Sequence, residues 1–117
     1  MIVSDSFVIA DWTDPGVTSH ERPIAGLHVH RSDDEAWYVL SGRLGFQVGD
    51  DVVEVPAGDS ILVPRGTPHS YWNAVQEPTH YLLVMTPRIH RLVEALHSGA
   101  RTDWAAIFEE HDSELLG

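Results

Sequence analysis

Residues 28–42 run His28-Val29-His30-Arg31-Ser32-Asp33-Asp34-Glu35-Ala36-Trp37-Tyr38-Val39-Leu40-Ser41-Gly42. Residues 58–73 run Gly58-Asp59-Ser60-Ile61-Leu62-Val63-Pro64-Arg65-Gly66-Thr67-Pro68-His69-Ser70-Tyr71-Trp72-Asn73. The first stretch offers two imidazoles and a carboxylate, and the second offers a third imidazole. Nitrogen and carboxylate donors in that mix suit a divalent transition metal: iron, nickel, manganese, zinc or copper. They do not suit calcium or magnesium, which favour shells of oxygen alone. His28 and His30 are two positions apart, so on a strand both project from one face. The polar turn Arg31–Asp34 can bring Glu35 back toward them, and the tight loop from Pro64 to Gly66 can aim His69 at the same point.

Working outward, residues 27–85 carry short apolar runs punctuated by Gly, Pro and Asp. Strands are expected at Ala36–Leu40, Leu44–Val48, Val52–Val55, Ile61–Val63, His69–Trp72 and His80–Met85. Turns fall at Ser41-Gly42, Gly49-Asp50-Asp51 and Pro56–Asp59. Short strands with regular turn signals predict an all-β sandwich or barrel. The period changes after residue 86. Thr86 is a plausible N-cap with Pro87 at the first helical position, Ile89, Leu92, Val93 and Leu96 form a helical stripe, and Gly99 fits the stop. Thr102 is a candidate cap for a second helix with Trp104, Ile107 and Phe108 as its apolar face. Both stripes are expected to cover the outside of the sheet. Residues 1 to about 25 are mixed, with a turn at Asp14-Pro15-Gly16 and a break at Arg22-Pro23. The chain of 117 residues reads as one domain, with the barrel over about 25–86 and a helical segment over about 87–115.

Eighteen acidic against seven basic residues give a formal charge of −11, which disfavours nucleic acid and anionic membranes as partners. There is no cysteine, hence no disulfide and no thiolate ligand. The stretch Met1–Phe7 lacks the basic and apolar regions of a signal peptide, and no apolar run reaches the length of a membrane span. A cytoplasmic protein is expected.

The two stretches also match a family pattern. The motif G-x5-H-x-H-x(3,4)-E-x6-G finds His28, His30, Glu35 and Gly42, with Arg22 in place of its leading glycine. The motif G-x5-P-x-G-x2-H-x3-N finds Gly58, Pro64, Gly66, His69 and Asn73. The chain resembles a small single-domain microbial cupin over residues 22–73. That resemblance implies a conical antiparallel β-barrel of two sheets (a jelly-roll-like, double-stranded β-helix) with helices at its C-terminal end. It also implies one divalent transition metal held inside by His28, His30, Glu35 and His69.

Alternation carries Trp37 to the face of Glu35, and Tyr71 to the face of His69, so both are candidates to line a substrate pocket. Tyr38 and Leu40 then face outward and need cover, which the C-terminal helices or a second copy of the chain could supply; a homodimer is expected. His80 shares a face with Leu82 and Val84 and reads as a strand-surface residue, as do His20, His90, His97 and His111. Arg43 and Arg65 read as turn or edge residues. Similar small cupins include quercetin-type dioxygenases, other ring- or carbon-bond-cleaving dioxygenases, isomerases and lyases. The resemblance therefore implies a metal-dependent, dioxygenase-like enzyme acting on a small chelating organic substrate, with Glu35 as a ligand that could also act as general base. The alternatives are an isomerase or lyase, or a barrel that binds or senses a small ligand or a metal without turnover.

Overall fold

Glu35, Trp37 and Val39 are buried while Tyr38 and Leu40 are each 42% exposed, so the alternation read from the sequence sets which face of this strand meets the interior. The computed structural model describes residues 1–117. In chain order its elements are β1 (Ile2–Val3), β2 (Val8–Asp14), β3 (Ala25–His30), β4 (Glu35–Ser41), β5 (Arg43–Val48), β6 (Asp51–Pro56), β7 (Ser60–Val63), β8 (His69–Asn73) and β9 (Thr79–Met85), then α1 (Pro87–His97), α2 (Trp104–Glu110) and β10 (Ser113–Leu115). All strand pairs are antiparallel. They form two five-stranded sheets, ordered β1-β2-β9-β4-β7 and β10-β3-β8-β5-β6. This is an all-β architecture of two antiparallel sheets with C-terminal helices.

The inner faces of the two sheets share one core. Val8, Ala10, Trp37, Val39, Tyr81, Leu83 and Met85 come from the first sheet, and Leu44, Phe46, Val55 and Tyr71 from the second. The outer face of the first sheet carries an apolar row across four strands, since Ile9 pairs with Val84, Val84 with Ala36, and Ala36 with Leu62. Neither helix lies on that face.

Three expectations need correction. The barrel does not begin near residue 25: β2 lies in the sheet, and Val8 and Ala10 are buried with Trp12 packed beside them. Their period of two was present but short of turn signals on its N-terminal side. Nor is the C-terminal zone wholly helical, because β10 pairs with β3 at its end. The helices do not cover the outside of a sheet. Ile89 of α1 joins the main core, while Leu92 clusters with Ile107 and Phe108 of α2, so the pair closes the opening between the sheets.

Helix α1 begins as the sequence predicts, with Thr86 accepting from Ile89 N and Pro87 opening the first turn. It is capped by Ser98, and Gly99 follows with a φ of 71°. Helix α2 differs: its N-cap is Asp103, not Thr102. The Asp103 carboxylate makes no capping bond because Arg101 holds it at 2.9 Å. No helix is long and apolar enough to cross a membrane.

Candidate metal centre

The second sheet supplies three imidazoles. His28 on β3 lies directly opposite His69 on β8, and their rings are 4.3 Å apart between centroids. His30, two positions along β3, points the same way, with its ring 4.8 Å from that of His28. A bulge in β3 between Ala25 and His28 sets this register, and the His28 ring Nδ1 closes onto Gly26 O at 2.6 Å.

The first sheet supplies the carboxylate. Glu35 opens β4 after the turn Arg31–Asp34, and its Oε1 lies 3.3 Å from His30 Nε2 and 3.2 Å from His69 Nε2. The ligand atoms of His28, His30, Glu35 and His69 all fall within 4.8 Å of one another, and all four residues are buried. The loops that carry them are tied together. Gly66 N donates to His30 O at 2.7 Å, and Arg65 donates to the Asp34 carboxylate from both backbone and guanidinium. Arg65 is thus a brace between the two motif loops, and Arg43 pairs with Glu54 on the surface.

Each imidazole has its Nδ1 engaged: His28 with Gly26 O, His69 with Thr67 O at 3.0 Å, and His30 with Ser113 Oγ at 2.7 Å. A carbonyl only accepts, so the Nδ1 atoms of His28 and His69 carry hydrogen and their Nε2 atoms are left for a ligand. Burial, reinforced by His69 and His30, lowers the pKa of His28 to about 4, so it is neutral and able to coordinate at neutral pH. Burial alone would raise Glu35, but hydrogen bonds from His30 and His69 outweigh it and bring that carboxyl down to about 2. Three oriented Nε2 atoms and one ionised carboxylate form a donor set that fits a divalent transition ion. The centre matches the ligand set expected from the sequence.

A cavity of about 160 Å³ opens onto His28, His30 and Glu35. Its walls are mainly apolar, with Leu83 and Tyr71 from the barrel, Ile89 and Leu92 from α1, and Phe108 from α2. Of the two candidate pocket residues, Tyr71 lines the cavity and Trp37 does not. Trp37 is 1% exposed and packs edge-on against Phe46, Tyr71 and His69, which makes it the floor beneath the site. Burial keeps the Tyr71 phenol protonated, its hydroxyl paired with that of Tyr81 at 3.1 Å.

Three rings at the mouth escape a reading of the strands: Trp12, Trp104 and His97, the last 5.4 Å from Trp12. Isolated near the ends of elements, they carry no local signal of a shared rim. His80 faces outward and pairs with Asp11, as its alternation predicts.

A cupin domain model matches residues 17–85, more than half of the chain. This chain belongs to the cupin family. It is 31% identical over 74 residues to an uncharacterized protein of Streptomyces coelicolor, covering 63% of this cupin and 63% of that protein, hence just under two-thirds of the relative's length. Among solved structures it is similar to an uncharacterized conserved protein with a double-stranded beta-helix domain from Klebsiella pneumoniae, at 28% identity and a TM-score of 0.59 over 74% of this cupin and 71% of that chain. It is also similar to a predicted oxalate decarboxylase from Thermotoga maritima, at 25% identity and a TM-score of 0.57 over 70% of this cupin and 67% of that chain. The family match ends at Met85, so α1, α2 and β10 lie beyond it.

Proposed function

We propose that this cupin is a metal-dependent, dioxygenase-like enzyme whose substrate is a small, largely apolar molecule with two neighbouring oxygens that chelate the ion. The cavity above the four ligands carries this reading. A volume near 150 Å³ holds a molecule about the size of benzene, so a single ring or a short chain fits the cavity of about 160 Å³. No arginine lines the cavity and the chain has no lysine, so nothing there clamps a phosphate or a second carboxylate. That argues against a sugar-phosphate isomerase and against oxalate as substrate.

When bound, the ion would polarise the chelated oxygens and offer the open positions that dioxygen needs. Dioxygen is the oxidant in the proposed reaction and both its atoms enter the product, so no separate reductant is required. Leu83, Ile89 and Phe108 hold the apolar body of the substrate and exclude water. Glu35, ionised throughout the neutral range, serves first as a ligand. To take the acidic enol or phenol proton of the substrate it must first leave His30 and His69, because a carboxyl held at about 2 is a weak base.

The partner we propose is a second copy of the chain. The outer row Ile9–Val84–Ala36–Leu62, with Tyr38 and Leu40 beside it, is apolar in a chain of net charge −11, and the Asp11 carboxylate next to it, across Leu82 from Tyr38, is paired with His80. Two such faces can meet without the like-charge repulsion that the rest of the surface would impose.

The test loads the metal-free protein with iron(II), nickel, manganese, copper or zinc in turn and follows oxygen uptake with neutral single-ring catechols and β-diketones. Oxalate and a sugar phosphate serve as controls. Uptake confined to the neutral chelators is the expected result. No uptake with any metal would leave a barrel that binds without turnover.

A further inference from the structure

His30 differs from the other two imidazoles in what holds it. His28 and His69 give their Nδ1 hydrogens to carbonyls two residues away, whereas His30 Nδ1 meets Ser113 Oγ, 83 positions along the chain. Ser113 Oγ in turn lies 3.1 Å from His111 O. The carbonyl can only accept, so the serine hydroxyl gives its hydrogen to His111 and its lone pair accepts Nδ1–H of His30. The direction of this relay fixes the tautomer that presents His30 Nε2 to the centre.

Ser113 is fully buried and sits on β10, directly across from His30. It lies beyond the stretch that matches the family. The segment that carries it is fastened around the turn that follows His30. Arg31 N donates to Asp112 O at 3.0 Å, and the Arg31 guanidinium reaches Ser113 O at 3.1 Å and Glu109 at 2.9 Å. Ser32 bonds Asp112, and Arg88 of α1 bridges Asp33 and Asp112. Asp112 adopts a φ of 54°, a left-handed conformation that Asp tolerates better than most residues and that turns the chain from α2 into β10.

We propose that Ser113 is a positioning residue for the metal, and that docking of residues 98–117 and metal binding stabilise one another through the Ser113–His30 bond. The inference rests on the reading of the four-residue centre as a metal site. By linkage, whatever the docked tail adds to metal affinity the metal returns to the docking of the tail.

The experiment uses the full chain, metal-free, as wild type, Ser113→Ala and Ser113→Thr. Cobalt(II) is titrated and its visible absorption followed, and copper(II)-loaded samples are read by electron paramagnetic resonance. Trypsin cleavage after the exposed Arg101 is timed with and without cobalt. Loss of a hydrogen bond behind a ligating histidine weakens metal binding by about 10- to 100-fold, which is the loss expected for Ser113→Ala, while Ser113→Thr stays within about threefold of wild type. The copper spectrum of Ser113→Ala should report an altered nitrogen environment, and cobalt should slow cleavage at Arg101 in the wild type. A folded Ser113→Ala that matches the wild type in affinity and spectrum would overturn the proposal. Should Ser113→Ala fail to fold, equal cleavage of the wild type with and without cobalt overturns it and slower cleavage with cobalt supports it. A wild type that binds no metal removes the metal reading and this inference together.

Discussion

Glu35 Oε1 lies 3.2 Å from His69 Nε2, although 34 positions and two different sheets separate the residues. The contact ties the inner faces of the barrel together at one buried point. Both atoms belong to the four-residue donor set, and an ion held there requires them free of protons. Metal binding should therefore release protons and weaken in acid.

Acid should destabilise the metal-free protein in two stages. His28 is lowered from 6.5 to about 4, so the unfolded chain binds a proton that the folded chain refuses. Its effect is absent above pH 6.5 and grows as pH falls to about 4, where it amounts to about 3 kcal/mol. Glu35 is lowered from 4.5 to about 2, so the stability it contributes is present above pH 4.5 and is lost toward pH 2. Both act in the same direction. Thermal melts of the metal-free protein from neutral pH downward should show Tm falling, and His28→Ala should flatten the first stage.

Removing ligands should empty the centre. Elemental mass spectrometry should find near-stoichiometric metal in the wild type and almost none in a His28→Ala/His30→Ala double variant. Glu35→Gln keeps the size but removes the charge, and should lower affinity at least as far as the about 10- to 100-fold typical of a lost supporting hydrogen bond.

Two glycines should resist substitution for different reasons. A Cβ on Gly45 would lie 2.2 Å from Trp72 Nε1 on the adjacent strand, and the indole must move. Gly45→Ala should cost about 1–3 kcal/mol in denaturant unfolding. Gly42 has a φ of 82°, and its Cβ would meet the Thr79 backbone at 2.9 Å. Thr79 also bonds Asn73 Oδ1 at 2.8 Å, so Gly42→Ala should disturb the β8–β9 turn and cost more than Gly45→Ala.

Phe108 sets the roof of the cavity, its ring 5.6 Å from that of His28. Phe108→Ala should cost about 3–5 kcal/mol of stability while shifting the preferred substrate toward larger rings, read as kcat/KM across a series of alkylated catechols.

On the outer face, Leu62 is 58% exposed beside Ala36. Sedimentation of the wild type at micromolar concentration should show a dimer, and Leu62→Glu a folded monomer with the circular dichroism of the wild type and a Tm no higher. A monomeric wild type would refute the proposed association.

The strands β4 to β7 and β9 are legible because Gly, Pro or Asp signals close them; of the ligands, Glu35 and His69 open β4 and β8, and His28 and His30 show by their two-residue spacing on β3. β2 escaped because its alternation stands in a mixed stretch, and β10 because three residues carry no period. Alternation tells which face a side chain takes but not its depth along the barrel. Trp37 and Tyr71 were therefore paired as pocket residues although only Tyr71 reaches the cavity. The helices were visible as amphipathic stripes, yet a stripe does not say what it will cover. Ser113 had no signal at all, since its partner is remote in the chain and a lone serine carries no pattern.

The bulge between Ala25 and His28 adds a residue to β3 just before the ligand pair. Register upstream of it is uncoupled from register downstream, where a slip by one residue would turn both imidazoles away from Glu35. Arg22, standing where the family motif has glycine, lies upstream of the bulge in a turn closed by paired backbone bonds with Ser19. No such slack exists between His28 and His30, where one inserted or deleted residue would turn the two imidazoles to opposite faces of β3 and should abolish metal binding.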